Sequence, residues 1–254
     1  MRHGDAIGGA AQDEAGDLRA QMVLSYYRLR QLLGLMGFLL PFALIAGSIL
    51  DQHGIAPSIS DYYHRLERDV FVGCLCAISM FLIAYPGHAK GRGERFGDDL
   101  VTSLAGFAGL GVAFFPNGGA GPDAPLAALS QLLFGTARVA LAHYACAVVF
   151  LTCLGYMSFV KFARTADMRR RRIYRLAGLG VWFFTVATVG FSLVKISGTS
   201  ASYDVVVSAR LVFWSETFGL WCFALAWLLK GHADKRKVIP PQRRILGARP
   251  LGRL

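Results

Sequence analysis

Apolar residues in this chain run together in blocks long enough to cross a bilayer, separated by short polar stretches. The blocks are Leu32 to Leu50, Val70 to Pro86, Leu100 to Pro116, Val139 to Val160, Leu176 to Val194 and Leu211 to Leu229. The pattern predicts an all-α fold, a polytopic transmembrane bundle of six spans. The second and third runs are at the short end of the range, so they are expected to extend a turn into the interfaces or to sit in a locally thinner bilayer. Their flanking Tyr85, Phe114 and Phe115 suit an interface.

Two features of the runs bear on packing. Pro41 interrupts the first near its middle and should kink it, because proline removes a backbone donor and crowds the preceding turn. In the third, Ala105, Gly106, Gly109 and Gly111 offer a small-residue surface for close helix approach. The segment before the first run mixes acids with bases and has no apolar core, so it does not read as a cleaved signal, and the first run reads as a retained span. The organisation expected is a cytoplasmic segment over residues 1–31, a six-helix transmembrane domain over 32–230 and a basic cytoplasmic tail over 231–254. Met1 to Gln21 and His232 to Leu254 read as flexible ends.

Composition agrees, since 54% of residues are hydrophobic and only 17% are charged, too apolar for an ordinary soluble domain. A net charge of +11 would suggest nucleic acid in a soluble protein, but its placement gives it another meaning. Of the 27 Lys and Arg, 22 fall in the N-terminal segment, the second and fourth loops and the tail, and 5 in the other loops. That asymmetry puts both termini in the cytoplasm and accounts for the charge as an orientation signal. It leaves membrane lipids, not nucleic acid, as the expected partner, in a bacterial inner membrane. The Arg169–Arg172 run could add roughly 1 kcal/mol per residue against anionic headgroups. Cys74, Cys76, Cys146, Cys153 and Cys222 all fall inside apolar runs, where a thiol packs as a small hydrophobe.

The chemistry lies in the polar residues sorted by depth. Nearly every run has one near its non-cytoplasmic end: Asp51, Asp69, Asn117, His143, Lys195 and Glu216. His143 follows Arg138 and Glu216 follows Arg210 at spacings that set both about 7–9 Å below the outer surface. An ionisable group at that depth should face the bundle interior with a partner, and His143 with Glu216 is the expected pair. The loop from Asp51 to Asp69 is dense in polar groups and reads as a lid over this layer. The candidate ligand pocket comprises Ser58, Asp61, His64, Arg68, Asp69, His143, Lys195 and Glu216.

Three readings of the layer stand open. It could be structural, with His143 and Glu216 bonded to each other or to Ser215 and Tyr144. It could bind a lipid headgroup or small polar solute, with Arg68 and Lys195 meeting anionic groups. It could be an enzyme. In that case His64, Asp69, His143 and Glu216 supply donors for zinc and lipid hydrolysis, or without metal His143 is a general base oriented by Glu216. No cofactor is otherwise predicted. There is no glycine-rich nucleotide loop, Gly-x-Ser-x-Gly motif or internal repeat, and no charged residue at mid-bilayer to mark a transport path.

The segments Ser58–His64 (SISDYYH) and Arg68–Ala77 (RDVFVGCLCA), with Gly111–Pro116 (GVAFFP), His143 and Leu228–Gly231 (LLKG), resemble those of uncharacterised bacterial six-helix integral membrane proteins, a domain of unknown function. In layout the chain is also similar to the DRAM-like six-helix membrane proteins, where a polar loop follows the first span. Both resemblances imply six-helix topology and neither implies an activity. The metal-dependent hydrolases that include alkaline ceramidases set His and Asp inside a bundle, but this chain lacks their paired histidines in a last helix and their seventh span.

Overall fold

A computed structural model describes the backbone of residues 3–87, 90, 93–118 and 126–238, and the side chains of 25, 27–87, 90, 93–118 and 126–232. All regular structure among these residues is helical. The long helices are α1 (His3–Leu50), α2 (Arg68–Ile83), α3 (Asp98–Phe114), α5 (Thr136–Tyr156), α6 (Met168–Ser197) and α8 (Leu211–Val238), with short α4 (Leu129–Phe134) and α7 (Ser200–Ser208) between them. Each apolar run falls on one of the long helices. The second and third end a little early, α2 before Tyr85 and Pro86, and α3 before Pro116, since a residue preceding proline is driven out of the helical region.

The long helices close into a ring: α1 packs on α8, α8 on α6, α6 on α5, α5 on α3, α3 on α2 and α2 back on α1. Four of them hold stretches long and apolar enough to cross a membrane, Tyr27–Leu50, Thr136–Phe162, Met168–Ser197 and Leu211–His232. Two of these stretches, on α5 and α6, turn most of their apolar surface outward. Only 22% of the most apolar window of α6 and 28% of that of α5 are buried, and Leu176, Phe183, Val186 and Leu193 lie exposed along α6. An apolar surface this extensive does not face water in a soluble monomer; the chain is an integral membrane protein.

The N-terminal segment expected as a flexible end is instead the start of α1. It carries the good helix formers Ala, Gln, Glu, Leu, Arg and Met, and has no proline before Pro41. Residues 239–254 of the basic tail, with Arg2 and Arg92 of the charge count, lie outside the described residues.

Pro41 sits within α1, and the carbonyl of Phe38, in the turn that it disturbs, accepts a hydrogen bond from the Trp221 indole of α8 at 3.1 Å. A neighbouring helix thus supplies a donor where the local ladder is weakened. The small-residue face of α3 meets α2: a Cβ added at Gly106 would stand 2.6 Å from the Ser79 carbonyl oxygen and 2.5 Å from Ile83 Cγ1. Gly106→Leu should therefore cost about 1–3 kcal/mol through overpacking, read as a lower midpoint in detergent unfolding, whereas the same change at exposed Gly73, where nothing lies within 4 Å, should cost little. The five cysteines are all free.

Candidate functional site

The loop between α1 and α2 builds the site. It turns at Gln52 and Gly54, both with positive φ, and then forms a 3-10 turn over Ser60–His64 that buries Asp61, Tyr62 and Tyr63. The Ser58 hydroxyl accepts the Asp61 backbone N–H at 3.0 Å and starts that turn, the local competition for backbone groups at which serine excels. Tyr62, fully buried, bonds Ser48 of α1 through its hydroxyl at 2.6 Å, and the Pro57 carbonyl accepts the Phe213 amide at the head of α8. The expected lid is therefore a plug, inserted among the helix ends and fastened to α1 and α8.

Asp61 is the centre of the layer. Its Oδ1 accepts from Asn117 Nδ2 at 2.6 Å and its Oδ2 from Lys195 Nζ at 2.7 Å. Lys195 closes the last turn of α6, where a cation is also favoured by the helix dipole. Asn117 lies just past α3, and its backbone and side-chain oxygens both face His64 Nε2, at 3.1 and 3.0 Å. Both partners only accept, so Nε2 of His64 carries the proton.

His143, 1% exposed, is set by the end of α3. Breaking that helix before Pro116 leaves its last carbonyls without helical partners, and the layer uses them. The Phe115 carbonyl lies 2.6 Å from His143 Nδ1, and the Phe114 carbonyl accepts from Ser130 at 2.8 Å. On the other side of the ring, His143 Nε2 stands 3.0 Å from Ser60 Oγ. Glu216, one helical turn and more into α8, accepts the Ile59 amide at 2.5 Å, and the Ser60 side chain is close to it as well.

The structure thus brings Ser58, Asp61, His64, His143, Lys195 and Glu216 into one layer, but not with the expected pairing. His143 and Glu216 do not bond each other; Ser60 and Ile59 of the plug come between them. Ser215 takes Thr188 as its partner at 2.9 Å, and Tyr144 meets His143 through an edge-on ring contact. Arg68 and Asp69 stand apart from the layer: the Arg68 guanidinium lies over the Tyr63 ring at 4.3 Å and bonds its hydroxyl, and Asp69 is exposed, with its carboxylate on the Val70 amide. Among the described residues no three His, Cys, Asp or Glu side chains converge to hold a metal, so His64, Asp69, His143 and Glu216 do not form such a group.

Sequence reasoning missed three parts of this end. Ser60 was one hydroxyl among several in the loop, and only the closed ring of helices shows which one meets the imidazole. Asn117 was recognised by depth but not as the bridge between Asp61 and His64. Glu67, buried and without a hydrogen bond to either carboxyl oxygen, fills the space against Gly47 that a Cβ there would take.

A second polar cluster closes the opposite end. The last turns of α5 continue as a π-helical segment, Met157–Phe162, which turns Lys161 inward. Its ammonium meets Asp98 Oδ1 at 3.0 Å, Glu94 Oε2 at 3.1 Å and the Phe96 carbonyl at 2.5 Å. Arg164 adds a second bond to Glu94 at 2.7 Å. Nearby, Arg30 reaches the Tyr85 hydroxyl at 2.6 Å, and Lys230 reaches Thr165 at 2.8 Å. Tyr85, expected at an interface, is buried beneath this cluster against Trp227.

No family model, no curated protein and no solved structure matches this chain.

Proposed function

We propose that the chain is a six-span protein of a bacterial inner membrane, with both termini in the cytoplasm, and that its plugged polar layer faces outward and binds a lipid headgroup or small polar solute. The excess of Lys and Arg on one side supports the orientation. The shortness of α2 and α3, 16 and 17 residues, is compatible with spanning. At about 1.5 Å per residue they cover roughly 24–26 Å, a mismatch that local thinning absorbs at small cost. Both helices also belong to the closed ring, whose other members carry the apolar outer surface.

The observation that carries the binding reading is the convergence on Asp61 of groups from the plug, the end of α3 and the end of α6, with Ser60, His64 and Lys195 left partly accessible. A layer built only for rigidity gains nothing from partial exposure, whereas clefts between helices with a few convergent polar groups are where bundles take small ligands. The cation of the layer is already paired, Lys195 with Asp61, and Arg68 lies outside it over the Tyr63 ring. That favours a neutral or zwitterionic polar group, such as the glycerol and ester region of a lipid, over a bare anion.

Photo-crosslinking with a diacyl lipid carrying its reactive group near the glycerol should label the purified protein at the plug and the head of α8. The yield should fall about tenfold or more in Asp61→Ala or Glu216→Ala, the loss expected of removing a charged hydrogen-bonding partner. Labelling indifferent to these changes would sink the reading. Topology is tested separately: a reporter fused after Arg65 or Asn117 should be found outside, and a cytoplasmic reporter would overturn the six-span count.

A further inference from the structure

The Ser60 hydroxyl and the His143 imidazole stand 3.0 Å apart, and the other ring nitrogen is tied to the Phe115 carbonyl at 2.6 Å. A carbonyl oxygen only accepts, so Nδ1 carries the ring proton. In the neutral ring Nε2 is then a lone pair directed at Ser60, and the Ser60 O–H can donate to it, with the Glu216 carboxylate as the competing acceptor. This is the arrangement an activated nucleophile needs: hydroxyl, base and a group that fixes the tautomer of the base, in line. Burial divides the roles further. His143 is closed off from solvent, so Ser60 is the way to its Nε2, while Ser60 itself keeps partial access to the layer.

We propose that Ser60 is the nucleophile and His143 the general base of an acyl-ester hydrolase acting on a carboxylic ester of an amphiphile. The inference rests on the reading that the layer admits the headgroup region of a lipid. Ser60 Oγ would form a bond to the acyl carbon as its proton passes to His143 Nε2. The carbon–oxygen bond to the alcohol then breaks, and the leaving oxygen takes that proton back. Water, giving its proton to the same nitrogen, cleaves the acyl-Ser60 ester; it releases a carboxylic acid and restores the serine. No electron transfer or co-reactant other than water is needed.

Lys195 of the layer is paired with Asp61, and Arg68 lies apart from the layer over Tyr63, so the layer offers no cation pair to a phosphoryl group and suits an ester of a carboxylic acid better than one of phosphoric acid. The orienting group is a backbone carbonyl, not a carboxylate. It fixes the ring but supplies only part of the stabilisation that a full charge would give the imidazolium, and the reaction is accordingly expected to be slow.

The test treats the full chain in lipid nanodiscs with a fluorophosphonate probe, which bonds serines whose hydroxyl is paired with a base, and maps the adduct by peptide mass spectrometry. Ser60 should carry it, Ser58 and Ser130 should not, and His143→Gln should slow the labelling about 10²-fold or more, with Ser60→Ala as the blank. Should Ser60→Ala fail to fold, the native peptide map and the His143→Gln rate decide alone. A native, monodisperse protein without adduct on Ser60, or a labelling rate unchanged by His143→Gln, would overturn the proposal. Lipid crosslinking that persists when Ser60 takes no adduct retires the activity and keeps the binding. An adduct on Ser60 that the diacyl lipid does not compete away supports the nucleophile and retires the lipid.

Discussion

Lys161→Met should cost the folded protein about 3–5 kcal/mol, the usual penalty for removing one partner of a buried ion pair. The lysine side chain is 2% exposed and serves two carboxylates at once, Asp98 at 3.0 Å and Glu94 at 3.1 Å. Taking the ammonium away removes a counter-charge from both carboxylates, whose side chains are 8% and 13% exposed, and Arg164, half exposed, bonds Glu94. The loss should appear as a lower midpoint in detergent or thermal unfolding of the purified protein. Replacing the cluster as a whole, Lys161→Met with Asp98→Asn and Glu94→Gln, should recover much of the deficit, because a buried ion pair exchanged for neutral groups of similar volume is often close to neutral. If the single variant were as stable as the native chain, the π-helical segment would not be holding Lys161 inside.

That cluster also shows where reading the sequence stops. Lys161 is counted correctly among the basic residues of one face, and that count bears on orientation, but nothing in the linear pattern separates a lysine that faces water from one turned inward. The difference is made by a π-helical turn, which adds a residue to the local repeat and rotates the side chains after it. The partners Glu94 and Asp98 lie across another loop and the start of another helix. The long helices were legible for the opposite reason: a run of apolar residues signals its own environment whatever packs against it. Gly106 was legible too, because a glycine lets another backbone come close whatever its partner is.

The site was legible by depth and not by pairing. His143, Lys195 and Glu216 belong to one layer because helix geometry fixes how far each lies from its helix end, and Asp61 reaches it through the loop read as a lid. Which of them touch depends on a plug that has no periodicity and on where Pro116 stops α3. The stop frees the Phe115 carbonyl, and that carbonyl, in place of Glu216, holds His143. Arg68 entered the candidate pocket through the polar loop, and Asp69 through its depth at the start of the second run. The first turn of α2 carries both away from the layer, one onto Tyr63 and the other to the surface.

Asp61→Ala should be the most damaging single change at the plugged end, at about 2–3 kcal/mol, the scale of a hydrogen bond to a charged group. It removes at once the acceptor of a buried amide, Asn117 at 2.6 Å, and the counter-ion of Lys195 at 2.7 Å. The cost stays below that at Lys161 because Lys195, at the end of α6 and 23% exposed, can turn its ammonium toward water on a flexible stem. A double-mutant cycle between Asp61→Asn and Lys195→Met isolates the charge pair while the asparagine still offers an oxygen to Asn117. Contact of this kind should give a coupling of about 1 kcal/mol or more, where independent sites would add to within a few tenths. The coupling should fall only in part in 1 M salt, at which the screening length is about 3 Å, because Asp61 is closed in by the plug while Lys195 keeps partial exposure. A coupling that vanished in salt would place the pair at an open surface, and the polar layer would then lose the enclosure on which a ligand site depends.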